Sequence, residues 1–176
     1  MSGFALFTDV SLDPQNRRGV GVFLLVPVSF VKAQPSRISR KDVAVQLKVR
    51  RFDNTSSTRL EVQTVLWALD EVQKTTLNNS RMQLQVYTDS QCVAGLFGRR
   101  SKLSSCGFKS KKTGQSLQNA DLYRTFYEFH DRIGFSIIKV KGHMRTSSRD
   151  TVHQIFACVD QEARKALRYW HKELSP

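Results

Sequence analysis

Residues 82–89 read Met-Gln-Leu-Gln-Val-Tyr-Thr-Asp, and the last three, Tyr87-Thr88-Asp89, nearly repeat Phe7-Thr8-Asp9, which closes the apolar run from Phe4 to Asp9. Both runs have the composition of β-strands, and each places a carboxylate where the strand leaves the core. If the two strands lie side by side and parallel, the two acids meet. A single Asp after a strand is ordinary turn or cap chemistry. The same ending on two strands favours a shared site.

The segments between them fit such a sheet. Gly19 to Val28 and Asp42 to Arg50 are β-rich runs separated by a polar stretch with Pro35, which predicts a three-strand antiparallel meander after a turn through Pro14 and Asn16. From Thr58 the pattern turns helical, with Val62, Val65, Leu66, Leu69 and Val72 spaced by three and four until Asn78-Asn79. Beyond Asp89 we expect a short helix over Gln91 to Phe97 and a Lys/Gly/Ser-rich segment. A helix from about Ala120, a strand over Phe135 to Val140 and a last helix from about Phe156 to Leu174 complete the order. The order β-β-β-α-β-α-α-β-α describes an α/β fold: a mixed five-stranded sheet, antiparallel through its first three strands, with the first, fourth and fifth parallel and helices on both faces. Sites in such sheets form at strand carboxyl ends.

At 176 residues and 40% hydrophobic content the chain supports one core, so a single domain over 1–176 is expected. Lys and Arg number 28 against 15 Asp and Glu, a formal charge of +13, which favours a polyanionic partner, nucleic acid first. No apolar run approaches the roughly 20 residues of a membrane-spanning helix, and no signal-peptide layout is visible, so a cytoplasmic protein without membrane attachment is expected. Cys92, Cys106 and Cys158 are odd in number and widely spaced, which argues against a disulfide framework or a zinc site.

Two further acids belong with Asp9 and Asp89. Thr58-Arg59-Leu60-Glu61 fits a capping box, but Glu61 also shares the helix stripe of Val65, Ala68 and Val72 that faces the sheet, where a charge wants a cation. Asp160 shares a face with Phe156, Ala163 and Leu167, and could start its helix or pair with Arg164. Four converging carboxylates repel one another unless divalent ions that prefer oxygen ligands, Mg²⁺ or Mn²⁺, sit between them. Two such ions about 4 Å apart can activate water and stabilise the leaving oxygen of a phosphodiester.

Taken in order, FTDVS, SSTRLEVQTVLWAL, VYTDSQ, VKGH and VDQEARKAL resemble the type 1 ribonuclease H family over nearly the whole chain. The resemblance implies an RNase H-like fold. It also implies a monomeric endonuclease that cuts the RNA strand of RNA–DNA hybrids with two Mg²⁺ ions, Mn²⁺ being possible, and leaves 3′-hydroxyl and 5′-phosphate ends. Asp9, Glu61, Asp89 and Asp160 match the family's metal-binding quartet, and His143 matches its mobile histidine. Ser57, Thr58 and Gln91 resemble its minor-groove contacts, with hydroxyls where asparagines are usual. Ser56 and Arg59 resemble its grip on a DNA-strand phosphate. The basic segment at about 98–120, with Phe108 among Lys109, Lys111 and Lys112, resembles its protrusion.

The chain departs from the family's pattern in several places. Val10 follows the first Asp where a small residue is usual, and Phe156-Ala157 stand where Asn-Glu commonly precede the fourth Asp. The stretch from His143 to Asp160 is long and includes Asp150, an alternative fourth ligand. The connection around Pro35, with Lys32, Arg37, Arg40 and Lys41, is long and basic.

Overall fold

The computed structural model describes residues 3–33, 40–76, 83–141 and 150–174. Five strands, β1 (Gly3–Asp13), β2 (Arg18–Pro27), β3 (Lys48–Phe52), β4 (Gln83–Thr88) and β5 (Phe135–Lys139), form one sheet in the order β3-β2-β1-β4-β5. β1–β2 and β2–β3 are antiparallel, whereas β1–β4 and β4–β5 are parallel, as the sequence predicts. Between and after the strands lie α1 (Val28–Val31), α2 (Arg40–Gln46), α3 (Ser57–Thr76), α4 (Gln91–Ala94), α5 (Leu96–Ser105), α6 (Ala120–Ile133) and α7 (Thr151–Leu174).

The strand period of two divides β1 between two cores. Leu6 joins the core under α3, α5 and α6, with Val65, Leu69, Val86 and Phe126, while Ala5 and Phe7 join the core under α7, with Val22, Ile155 and Val159. Helices therefore cover both faces. The stripe of Val62, Val65, Leu69 and Val72 that predicts α3 is fully buried against the sheet. Its approach to β2 is close at Gly21, where an added Cβ would collide with the Thr64 side chain.

Three expectations need correction. Asp42 to Arg50 is not a strand: its first part is α2, and β3 begins only at Lys48. Val43 is 1% exposed and Val45 87%, which fits a helix, where positions i and i+2 lie on opposed sides, and not a strand, where they share a face. Asp9 does not end its strand, because β1 runs on to Asp13 through pairs with β2 after β4 has stopped. Finally, α7 begins at Thr151 and not near Phe156, because Asp150 caps it: the Asp150 Oδ1 accepts the His153 N–H at 2.9 Å.

Candidate active site

The two matching strand endings lie in register. Phe7 pairs with Tyr87 across the parallel β1–β4 ladder, and their rings stack with centroids 4.6 Å apart. The next residues, Thr8 and Thr88, are buried on the opposite face, so Asp9 and Asp89 follow at the same level, where β4 has ended and β1 continues. Thr8, Asp9, Val10, Glu61, Thr88, Asp89 and Ser90 line one open depression there. Three of the four candidate acids thus share a single cleft.

Electrostatics ties in the fourth. Asp9 is pushed up to about 8, first by burial, then by the negative charge of Asp89 and, more weakly, of Asp160. The Val10 N–H, 2.8 Å from Asp9 Oδ1, and the positive charge of Arg164 offset this only in part. Asp160 projects from the third turn of α7, where its Oδ1 accepts a hydrogen bond from Arg164 Nε at 2.8 Å. Asp160, not Asp150, acts on Asp9; Asp150 is held by the His153 ring, 2.6 Å away.

Glu61 is not the reciprocal half of a capping box. Its Oε2 accepts the Ser90 hydroxyl hydrogen, and the Ser57 side chain bonds it as well. Burial, more than the nearby Asp89, raises its pKa, while these two hydrogen bonds lower it; the net direction is upward. Ser90 is the site residue that sequence reading missed. It is 4% exposed, its Oγ accepts the Val93 N–H at 3.2 Å as the N-cap of α4, and the same oxygen donates to Glu61. The signal was a Ser directly after Asp89 and before a helix, which is N-cap chemistry.

The candidate substrate contacts lie at the starts of α3 and α4 and on the turn after α5. Ser56 precedes α3, its carbonyl accepting the Leu60 N–H at 2.7 Å, and Ser57 and Thr58 occupy the first turn. Gln91 begins α4, and its Oε1 accepts from Lys139 Nζ. Arg59 is already engaged: Nη2 lies 3.0 Å from Asp121 Oδ2 and Nη1 3.3 Å from Asn119 Oδ1, a tie from α3 to the start of α6. Lys109, Lys111 and Lys112 are exposed on a turn closed by the Lys109–Ser116 bridge, with Phe108 packed between Tyr127 and the Arg124 guanidinium. His143 lies outside the described residues.

Among the described residues no group of three or more His, Cys, Asp or Glu side chains is placed to hold a metal ion. The donor set still suits a hard divalent cation, because the acids offer oxygen alone and Asp9 carries the repulsion that such an ion relieves. As placed, Ser90 and Arg164 occupy oxygens of Glu61 and Asp160. No described helix is long and apolar enough to cross a membrane.

No curated protein matches the chain. Two solved structures of the foamy viral protease–reverse transcriptase share its fold. The one in complex with an RNA/DNA hybrid superposes with a TM-score of 0.60 at 12% identity, covering 93% of this chain and 19% of that one. The one in complex with dsDNA gives 0.55 at 11% identity, covering 88% and 90%. This chain therefore spans only a small part of the first neighbour. The RNase H family profile matches residues 2–167, from the first strand through most of the last helix, and the chain belongs to the RNase H family.

Proposed function

We propose that this chain hydrolyses the RNA strand of RNA–DNA hybrids, with Asp9, Glu61, Asp89 and Asp160 holding two Mg²⁺ ions, or Mn²⁺ in their place. The observation that carries the reading is Asp9: a carboxylate lifted to about 8 by partial burial and by the charges of Asp89 and Asp160 is a position whose negative charge a cation would stabilise. Family membership and a structural neighbour that binds an RNA/DNA hybrid support the substrate class. When bound, divalent ions would polarise the scissile phosphate, acidify the attacking water and stabilise the departing oxygen.

The chain's own groups then act around that centre. Ser90 keeps the Glu61 carboxylate turned into the cleft. Ser57, Thr58 and Gln91 offer polar contacts that read the 2′-hydroxyl, which distinguishes RNA from DNA. Ser56 and Arg59 hold a DNA-strand phosphate once the phosphate displaces Asp121 from the guanidinium. Lys109, Lys111 and Lys112 add phosphate contacts, and His143 helps to move protons or release product. In the net reaction the water oxygen bonds to phosphorus, the bond from phosphorus to the 3′ oxygen breaks, and that oxygen takes a proton. The products are a 3′-hydroxyl and a 5′-phosphate.

The test compares labelled hybrid, duplex RNA and duplex DNA with Mg²⁺ or Mn²⁺, for the wild type and Asp9→Asn. Cutting of the hybrid alone, lost in the variant, is expected. The tie of Asp160 to Arg164 favours a second reading, a hybrid-binding module without chemistry; hybrid bound but uncut under every metal condition would establish that reading instead. Equal cutting of duplex DNA would mark a DNA nuclease of the same fold.

A further inference from the structure

The large apolar side chains left exposed among the described residues are Val45, Val49, Tyr169 and Leu174. They lie in α2, β3 and the last two turns of α7, which meet at one corner of the molecule. Leu47 alone separates α2 from β3, and Arg51 of β3 reaches α7, with Nη2 2.7 Å from Glu173 Oε2 and the guanidinium 5.3 Å from the Trp170 ring. Among the described residues β3 is an edge of the sheet, paired with β2 and with no other strand. Three of its five residues are cationic, Lys48, Arg50 and Arg51, and its first four residues are exposed. Arg50 is held in place over Phe52 and Trp67, at 5.4 and 5.9 Å. Two acids at this corner are committed to cations, Glu173 to Arg51 and Asp53 to Arg18.

We propose that this edge docks an extended acidic segment of a partner protein, which adds to β3 as a sixth strand and alternates acidic with apolar side chains. An edge strand presents unpaired N–H and C=O groups in alternation, and an extended peptide is the partner that satisfies both. A phosphodiester backbone or a lipid headgroup does not present donors and acceptors in the regular alternation of a peptide backbone. A second copy of the chain would bring the same cations to the same edge, and like charges opposite one another repel. Cations on a short edge strand ordinarily guard against such self-pairing. That duty does not call for Val49 at 43% exposure on β3 or for Val45 at 87% on α2, which offer apolar anchors at the same corner.

The test titrates the full chain, isotopically labelled, with a twelve-residue peptide alternating Glu and Val. A Lys–Val counterpart, a short RNA–DNA hybrid and phosphatidylglycerol vesicles serve as the other arms. The Glu–Val peptide is expected to bind with a Kd on the order of micromolar and to slow amide exchange in β3. The double variant Val45→Asp, Lys48→Glu should lose about tenfold in affinity with its melting temperature unchanged. Failure of the Glu–Val peptide to bind, equal binding by the double variant, or protection of β3 by the hybrid or the vesicles instead would each overturn the proposal. None of these outcomes depends on catalysis, so the test is separate from that of the nuclease reading.

Discussion

Asp9 costs the metal-free protein stability. Below the ordinary carboxylate range the folded and unfolded chains both hold its proton and the cost is absent; as pH rises the unfolded chain ionises first, and the penalty grows until the folded group ionises near 8. The metal-free protein should therefore lose stability between about pH 4 and pH 8, and Mg²⁺ should restore it. Asp9→Asn removes the titration, and we expect it to raise metal-free stability at neutral pH by an amount on the order of 2 kcal/mol while abolishing cleavage, as thermal melts with chelator and a cleavage assay would show. Ser90→Ala removes both an N-cap and the donor to Glu61, so it should cost about 1–2 kcal/mol of stability and shift the Mg²⁺ requirement of cleavage to higher concentration, which a metal titration measures. The loss of cleavage should be partly recovered at high Mg²⁺.

The pairing of β1 with β4 was legible because its evidence is local: the nearly matching triplets Phe7-Thr8-Asp9 and Tyr87-Thr88-Asp89 fall into register, Phe7 on Tyr87. The buried stripe of α3 was legible for the same reason. α2 was not, since Val43, Val45 and Leu47 alternate as a strand does, and only the packing of Val43 under α7 decides for the helix. The orientation of Glu61 was hidden as well, because its partner Ser90 is 29 residues away and no capping rule reaches that far. The close contact of β2 with α3 gives a sharp test. Gly21→Ala would drive a methyl into Thr64, a stiff β-branched side chain, and should destabilise by about 1–3 kcal/mol; adding Thr64→Ala should recover much of that, as denaturant melts of the single and double variants would reveal.

The charge of +13 is distributed over more than one face of the molecule. Lys109, Lys111 and Lys112 lie on the turn after α5, while Lys48, Arg50 and Arg51 lie on the far edge of the sheet. Composition announced a polyanionic partner but could not divide these cations, since that takes the strand order. Hybrid affinity should fall steeply with salt, and each of Lys111→Ala and Lys112→Ala should reduce the slope of log affinity against log salt by about 1, whereas Lys48→Ala should leave it unchanged. Equal effects at both faces would mean that the hybrid covers the edge strand too.

Asp160 stands in the third turn of α7 and not at its head. The field of a helix N-terminus fades within its first turn, so the backbone does little to steady this carboxylate, and among the described residues its hydrogen-bond partner is Arg164. A cation that claims Asp160 sets Arg164 loose. In the proposed metal site the fourth acid would be less a fixed post than a latch: its capture by metal would release a guanidinium, and the free energy of metal uptake would include breaking that pair.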